Sequence, residues 1–302
     1  MYRNLAPGAI GISADLRRGL ELAKEGGFEG LDVPMGEVAR IAQEQGPERV
    51  KQMYAEAGLR LGGWGLPVRW AGPEEEYRQG LDLLRRYAAL AGQLGAIRCY
   101  TWVPPASDER PFAENFRFHV ERFKPIAEIL AENGCRLGLE FIGPATLRRG
   151  RKYAFLHSLD GMLALAAAIG TGNVGLLLDC WHWYTSHGSV DDLLHLSNED
   201  VVYVHINDAP EGVPLEEQRD NVRRLPGQTG VIDLVGFLGA LQRIGYDGPV
   251  TPEPFYAPLQ ELPPEEAVRL VGKATQEVWR KADEGMASRG ANSPEAGERM
   301  GA

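Results

Sequence analysis

Four segments of this sequence end in residues that can bind a metal ion or transfer a proton. Glu140 ends the run L-G-L-E, Asp179 ends L-L-L-D, His205 ends V-Y-V-H and Glu253 follows P-V-T-P. One carboxylate after a strand is usually a helix cap or an ion-pair partner. Three carboxylates that converge repel one another unless a cation compensates their charge. If the four segments are neighbouring strands, one bound metal ion explains the pattern.

The ligand types indicate which ion this is. Three carboxylates and one imidazole form an oxygen-rich set, which favours Mn²⁺ and leaves Mg²⁺ or Co²⁺ as alternatives. The cysteines lie in three separate apolar segments, without the spacing of a zinc site or a disulfide framework. We expect Cys99, Cys135 and Cys180 to be buried thiols.

Other side chains near these strand ends are candidates for substrate binding. His182 follows Asp179 by three residues, so its ring is expected to reach the outer shell of the ion or a substrate hydroxyl. A solvent-exposed loop histidine is the alternative. Among the tryptophans at or just past predicted strand ends, Trp64 and Trp102 are preferred as an aromatic wall for a ring-shaped substrate, although a single tryptophan more often serves packing.

The elements that position these residues alternate between short apolar runs and longer amphipathic stretches, as βα units require. The predicted strands are 9–12, 30–33, 59–64, 96–102, 136–141, 174–179, 201–206 and 249–253. The predicted helices are 16–25, 38–57, 75–94, 114–133, 159–169, 190–196, 234–244 and 264–283. Eight such units favour a (β/α)8 TIM barrel over an open doubly wound sheet.

The chain is expected to form one domain, 1–282, followed by a flexible or loosely docked tail, 283–302, that is rich in Gly, Ser, Ala and Glu. Two predicted βα connections, 143–158 and 207–230, exceed the usual length. Both follow strand ends on the face of a barrel where catalytic sites are built, so they are expected to border the site.

These motifs resemble the sugar phosphate isomerase/epimerase family of xylose-isomerase-like barrels. The resemblance depends on Glu140, D179-C-W-H182, H205-I-N-D208 and P-E253-P-F, together with the segments L-P-G-Q-T-G-V-I-D and I-G-Y-D-G-P. It lies between positions 140 and 255, and the N-terminal half matches only as a pattern of βα units. The family includes ketose 3-epimerases, inosose isomerases and dehydratases, hydroxypyruvate isomerases and the related apurinic endonucleases.

The resemblance implies that Glu140, Asp179, His205 and Glu253 bind one metal ion. It also implies that the two glutamates act as acid and base on a ketose or keto-polyol, through a metal-stabilised enediolate. Ketose 3-epimerases place a substrate-binding arginine six residues after the metal histidine, where this chain has Glu211. Three arginines of the long loop could replace it, namely Arg219, Arg223 and Arg224, and Arg224 is the candidate chosen here.

Alternative functions remain open at this point. A dehydratase or β-eliminating lyase acting on a keto-inositol or 3-keto-glycoside would use the same enediolate. An apurinic endonuclease would need further zinc-binding histidines, which the segments 61–65, 99–102 and 207–230 lack. A sugar-binding barrel without turnover would have no need of four intact ligand positions.

Composition limits the partners. The chain has 302 residues, of which 44% are hydrophobic and 25% charged, and its net charge of -10 does not favour nucleic acid. No basic n-region or membrane-length apolar run is present, which predicts a cytoplasmic protein. We expect its partner to be a small sugar-like substrate, and a homo-oligomer remains possible. The cationic run 147–152 contains Arg148, Arg149, Arg151 and Lys152. We expect all four to point away from the cleft, and the substrate therefore to be neutral.

Overall fold

The computed structural model describes residues 1–291 and shows a closed parallel barrel. Its strands are β1 (Tyr2–Leu5), β2 (Gly30–Leu31), β3 (Arg60–Leu61), β4 (Trp64–Gly65), β5 (Arg98–Val103), β7 (Arg136–Phe141), β9 (Val174–Asp179), β10 (Val201–Ile206) and β11 (Pro249–Pro252). The sheet order is β3-β2-β1-β11-β10-β9-β7-β5-β4. Because β3 and β4 are two pieces of one strand, the barrel has eight strands and closes on itself, and the predicted fold is confirmed.

Two short strands lie outside the barrel wall. β6 (Ala106–Ser107) pairs antiparallel with β8 (Tyr153–Ala154). This pairing connects the loop after β5 to the long loop after β7, on the face where the barrel strands end.

The prediction of the first strand was wrong. Segment 9–12 is not a strand, because Pro7 begins a 3-10 turn that ends at Ile10 and Gly11 follows with φ 79°. The first strand is β1, which pairs with β11 and β2. Its apolar pattern is interrupted by Asn4, which is buried inside the barrel and donates to Asp32 at 2.8 Å.

The third barrel strand is interrupted at Gly62 and Gly63. A Cβ atom on Gly63 would lie 2.6 Å from the ring of Tyr203, and one on Gly62 would lie 2.5 Å from Asp32 Oδ1. Only glycine allows the backbone to come this close to the side chains that fill the barrel. The predicted strand 59–64 is therefore observed as two short pieces.

The helices are α1 (Leu16–Glu25), α2 (Met35–Gln45), α3 (Pro47–Ala57), α4 (Glu74–Leu94), α5 (Phe112–Ala131), α6 (Leu159–Ile169), α7 (Cys180–Thr185), α8 (Val190–Leu194), α9 (Leu234–Arg243) and α10 (Pro264–Ala291). The predicted helix 38–57 is two helices, because Gly46 has φ 85° and Pro47 begins a new helix. α10 continues beyond its predicted end at 283. The remainder of the predicted tail, 292–302, lies outside the described residues.

A polar cluster fills the barrel beneath the strand ends. Asp32 accepts hydrogen bonds from the hydroxyls of Tyr100 at 2.7 Å and Tyr203 at 2.8 Å and from the backbone N–H of Gly63 at 2.8 Å. Burial raises the pKa of the Asp32 carboxyl, and these donors oppose the shift. The rings of Tyr100 and Tyr203 meet the His205 imidazole edge-on, so this cluster supports the floor of the candidate site.

The cysteines are free and buried, as expected. Within residues 1–291, no helix is long and apolar enough to cross a membrane.

Candidate metal centre and substrate cleft

Four adjacent strands bring the predicted ligands together. Glu140 lies near the end of β7, Asp179 ends β9, and Glu253 follows β11. His205 lies on β10, directly opposite Asp179 of the neighbouring strand β9. Each offers one ligand atom, and the four atoms lie within 4.8 Å of one another. Parallel strands end on the same side of a barrel, which explains why residues far apart in the chain converge here.

Two of these ligand atoms are buried without a hydrogen-bond partner. They are Glu140 Oε1 and His205 Nδ1, which lie 3.4 Å apart. His205 Nδ1 is also 3.4 Å from Glu253 Oε2. Buried polar atoms are normally satisfied, so unpartnered atoms that face one another point to a missing cation. Three carboxylates and one imidazole fit a divalent ion of the Mn²⁺, Mg²⁺ or Co²⁺ kind.

The carboxylates and the imidazole of the cluster shift one another's pKa values. Burial raises the pKa of Glu140 to about 8. Burial opposes the protonated form of His205, but the carboxylates of Glu253 and Glu140 outweigh it and raise the pKa of the imidazole to about 9. These groups therefore hold protons at neutral pH that a metal ion would have to displace.

Asp179 is the best fixed of the four ligands. Its Oδ1 atom accepts from the backbone N–H of Trp181 at 2.8 Å and from the Asn207 amide at 3.0 Å. Its Oδ2 atom accepts from Arg223 at 2.7 Å. Burial penalises the charged carboxylate, but Arg223 and the nearby histidines prevail and lower the pKa of Asp179 to about 2. Asp179 is thus an oriented anion.

Arg223 is the most important residue that the sequence analysis did not select. It is 1% exposed, and its Nη1 atom also donates to Glu253 Oε2 at 3.1 Å. Its Nη2 atom donates to Asp220 at 2.7 Å, and its guanidinium lies 4.5 Å from the ring centroid of Phe255. A buried cation held by three carboxylates at a metal-ligand group is typical of a functional position.

Arg224, the predicted substrate-binding arginine, is not brought to this group. Its Nη1 atom donates to the backbone carbonyl of Arg223 at 2.9 Å, and its guanidinium lies 5.9 Å from the ring centroid of Tyr256. Its backbone forms a bridge with Asp208, whose side chain accepts from the backbone of Gly230 and holds the long loop closed. The loop geometry therefore selects Arg223 and excludes Arg224 from the cluster.

His182 is buried next to the ligands, so the exposed-loop alternative is wrong. Its Nε2 atom lies 3.9 Å from Glu140 Oε1 and 3.7 Å from Asp220 Oδ1. Its Nδ1 atom accepts from the backbone N–H of Gly143 at 3.2 Å. Its Nε2 atom also lies 3.4 Å from Arg223 Nη2. Burial lowers the pKa of the imidazole to about 4, so the ring is neutral.

Two cavities open at this cluster. The first cavity, about 540 Å³, lies between the 6–16 segment and β2, and includes Trp64, His205 and Glu253. The second cavity, about 680 Å³, is bordered by the long loops and includes Trp102, Glu140 and His182. Trp64 is a buried wall that donates to the Ala96 carbonyl at 2.7 Å, whereas Trp102 is 56% exposed. Both preferred tryptophans thus line the cleft.

The long loops and their cationic run border the second cavity. Arg149 pairs with Glu217 at 3.0 Å, and Arg148 donates to the backbone of Gly143. Arg151 lines the second cavity and pairs with Asp108 at 3.1 Å. The expectation that all four cations point away from the cleft is wrong for Arg151, and the inference of a neutral substrate loses that support.

Comparisons with known proteins place this architecture in a family. The model of the xylose isomerase-like TIM barrel family matches residues 20–274, and the chain belongs to that family. A xylose isomerase domain protein from Alicyclobacillus acidocaldarius is 35% identical with a TM-score of 0.81, over 93% of this chain and 99% of its own. The IOLI protein, solved with a bound zinc atom, is 20% identical with a TM-score of 0.74, over 92% of this chain and 98% of its own. At this identity the likeness supports the fold alone.

The curated relatives are enzymes of more than one class. An inosose isomerase from Bacillus velezensis is 22% identical over 89% of this chain and 94% of its own length. A 3-dehydroshikimate dehydratase from Pseudomonas aeruginosa is 25% identical over 84% of this chain, which spans 38% of that protein. The chain is therefore similar to isomerases and to dehydratases.

Proposed function

We propose that this protein is a divalent-metal-dependent isomerase or epimerase that acts on a ketose or keto-polyol through an enediolate. The observation that carries the proposal is the convergence of Glu140, Asp179, His205 and Glu253, with two buried ligand atoms left unpartnered. We propose Mn²⁺ as the ion, with Mg²⁺ or Co²⁺ as alternatives. The zinc atom bound to the IOLI protein makes zinc a fourth ion to be tested.

A divalent ion here would withdraw charge from the ketone and adjacent hydroxyl oxygens of the substrate and so acidify the carbon-bound proton between them. Glu140 and Glu253 are the proposed acid and base. Their strands are separated by β9 and β10, so the two carboxylates can approach a flat substrate from opposite sides. Inversion uses both glutamates, whereas isomerisation needs only one face.

Two neighbouring groups would assist this chemistry. Arg223 lines the second cavity and presents a fixed cation beside Glu253, where it can stabilise negative charge on substrate oxygen. His182 lines the same cavity, and its imidazole can form a hydrogen bond with a substrate hydroxyl. Both groups act in a cleft where low solvent access strengthens such interactions.

A dehydratase is the second candidate function, and the placement of His182 favours it. An enediolate with a β-hydroxyl can expel water when a nearby acid protonates the leaving oxygen. His182 Nε2 lies 3.9 Å from Glu140 Oε1, so the imidazole is close enough to orient a leaving hydroxyl for protonation by the Glu140 carboxyl. The structure does not support the apurinic endonuclease alternative. That enzyme needs three zinc ions, and the described residues contain one metal-ligand group.

The test is proton exchange in D₂O. Metal-loaded protein is incubated with ketoses, inososes and 3-keto-glycosides, and deuterium incorporation and dehydration are followed by NMR. Metal-dependent deuterium incorporation at carbon next to the ketone supports the proposal. Loss of water from a substrate supports the dehydratase, and no exchange with any of the three classes contradicts both.

A further inference from the structure

Three large apolar side chains are exposed together around the second cavity. Trp102 is 56% exposed, Leu147 42% and Phe255 41%, and all three line this cavity. They come from different parts of the barrel: Trp102 lies on β5, Leu147 in the loop after β7, and Phe255 after β11. Single exposed apolar side chains are normal on a protein surface, but several of them at one cavity indicate a binding surface.

The polar side chains of the second cavity are less accessible than these apolar ones. Arg223 and His182 are buried, and Asp220 and Glu253 already pair with the Arg223 guanidinium. Apart from the metal-ligand group and these paired residues, the lining is mostly apolar and includes Trp102, Pro104, Pro105, Ile142 and Leu147. A polyol against these walls would lose hydration without gaining hydrogen bonds, whereas an apolar group would gain from burial.

The first cavity offers polar groups to another part of the same ligand. It reaches the metal-ligand group at His205 and Glu253, and its lining includes Ser13, Asp15, Asp32 and Tyr100. Asp32 Oδ2 accepts a hydrogen bond only from Tyr100 among the described contacts, so it can accept another from a sugar hydroxyl. Because Glu253 and Phe255 line both cavities, one ligand can extend from the first cavity into the second.

We propose that the substrate is a keto-glycoside whose non-reacting aglycone is an apolar ring, and that this ring binds in the second cavity against Trp102, Leu147 and Phe255. This inference rests on the proposed function for the reacting end of the substrate. The keto sugar lies at the metal-ligand group, where hydroxyls directed into the first cavity can reach Asp32.

The experiment compares phenyl and methyl 3-keto-glucosides, which share the reacting sugar and differ only in the aglycone. Dissociation constants are measured with the metal-loaded protein by calorimetry. We expect the phenyl compound to bind at least about tenfold more tightly, the lower end of what burial of an aromatic ring contributes. Equal affinity for the two compounds, or no binding of either, would overturn the proposal.

Two truncation variants localise the effect. Trp102→Ala and Leu147→Ala remove apolar surface from the second cavity, and both side chains are exposed, so neither change should unfold the protein. Each should lower the ratio of the methyl to the phenyl dissociation constant at least about threefold. Phe112→Ala and Leu270→Ala are the matched controls, because these side chains are 50% and 40% exposed and line neither cavity. A ratio that stays at the wild-type value in both truncation variants would overturn the proposal.

Contact with a second copy of this chain is the alternative use of the exposed apolar side chains. The molar mass of the wild type and of the four variants is measured by light scattering. We expect Trp102→Ala and Leu147→Ala to have the same oligomeric state as the wild type. An oligomer that dissociates in these two variants and persists in the two controls would show that a partner copy covers the side chains, and would overturn the proposal.

The same samples separate this inference from the proposed function. If the phenyl preference is found but no keto-glycoside exchanges deuterium, the second cavity binds the apolar ring and the proposed reaction is wrong. If exchange occurs with equal affinity for both glycosides, the reaction stands and the aglycone site is wrong.

Discussion

Replacing Arg223 by methionine tests whether a protein cation and a metal ion compensate the same carboxylates. The Arg223→Met variant keeps the side-chain volume but removes charge-assisted hydrogen bonds to Asp179, Glu253 and Asp220. Removing one partner of a buried ion pair costs about 3–5 kcal/mol, because the remaining charges stay buried. We expect the metal-free variant to lose about that much free energy of unfolding.

A metal ion should recover much of this loss, since it would bind Asp179 and Glu253 directly. The free energy of unfolding is measured by chemical denaturation, once with a chelator and once with Mn²⁺, for the wild type and the variant. We expect the difference between them to shrink when Mn²⁺ is present and the variant to bind Mn²⁺ more tightly than the wild type. That result would show that Arg223 and the ion compete for the same charge.

Arg224→Met is the matched control, because Arg224 is adjacent in the chain and its side chain hydrogen-bonds only to a backbone carbonyl among the described contacts. It should cost no more than about 1 kcal/mol. The reasoning is refuted if the Arg223 variant is no less stable than the Arg224 variant without metal, or if Mn²⁺ leaves their difference unchanged.

Three further predictions follow from the same geometry. Glu140→Gln and Glu253→Gln should each reduce turnover by at least about 100-fold, and activity near wild type with metal still bound would exclude proton transfer by that residue. The raised pKa values of Glu140, about 8, and His205, about 9, mean that the metal-free native state binds more protons than the unfolded state between about pH 7 and 9. Its stability should therefore fall as pH rises through that window and Mn²⁺ affinity should rise; titrations showing the opposite slopes would contradict this. Gly63→Ala places a methyl group against a ring inside the barrel and should cost about 1–3 kcal/mol in denaturant unfolding, whereas Gly65→Ala, with open space at its Cβ, should cost less.

Much of the barrel was predictable because of how parallel strands are buried. The strands β7, β9 and β10 have the predicted bounds, since covered strands read as continuous apolar runs. β1 was missed for the opposite reason: its inward-facing Asn4 serves the polar cluster around Asp32, so its four residues do not read as a strand. The local pattern of apolar residues predicts which segments are buried in the wall of the barrel. It does not predict polar contacts inside the barrel.

The candidate site divides in the same way. Its four proposed ligands could be selected because each lies at or next to the end of a regular strand, and the ends of parallel strands converge on one face of the barrel. Arg223 could not be distinguished from Arg219 and Arg224, because all three lie in an irregular loop where no periodicity defines which side faces inward. Phe255 lines both cavities with a positive φ of 35°, a backbone conformation that composition does not report.

The most direct test of the metal centre is anomalous diffraction from crystals of the full chain grown with Mn²⁺. The proposal predicts one ion, bound at about 2.0–2.6 Å by one atom from each of Glu140, Asp179, His205 and Glu253. An ion bound elsewhere, or no ordered ion at this group, would contradict it.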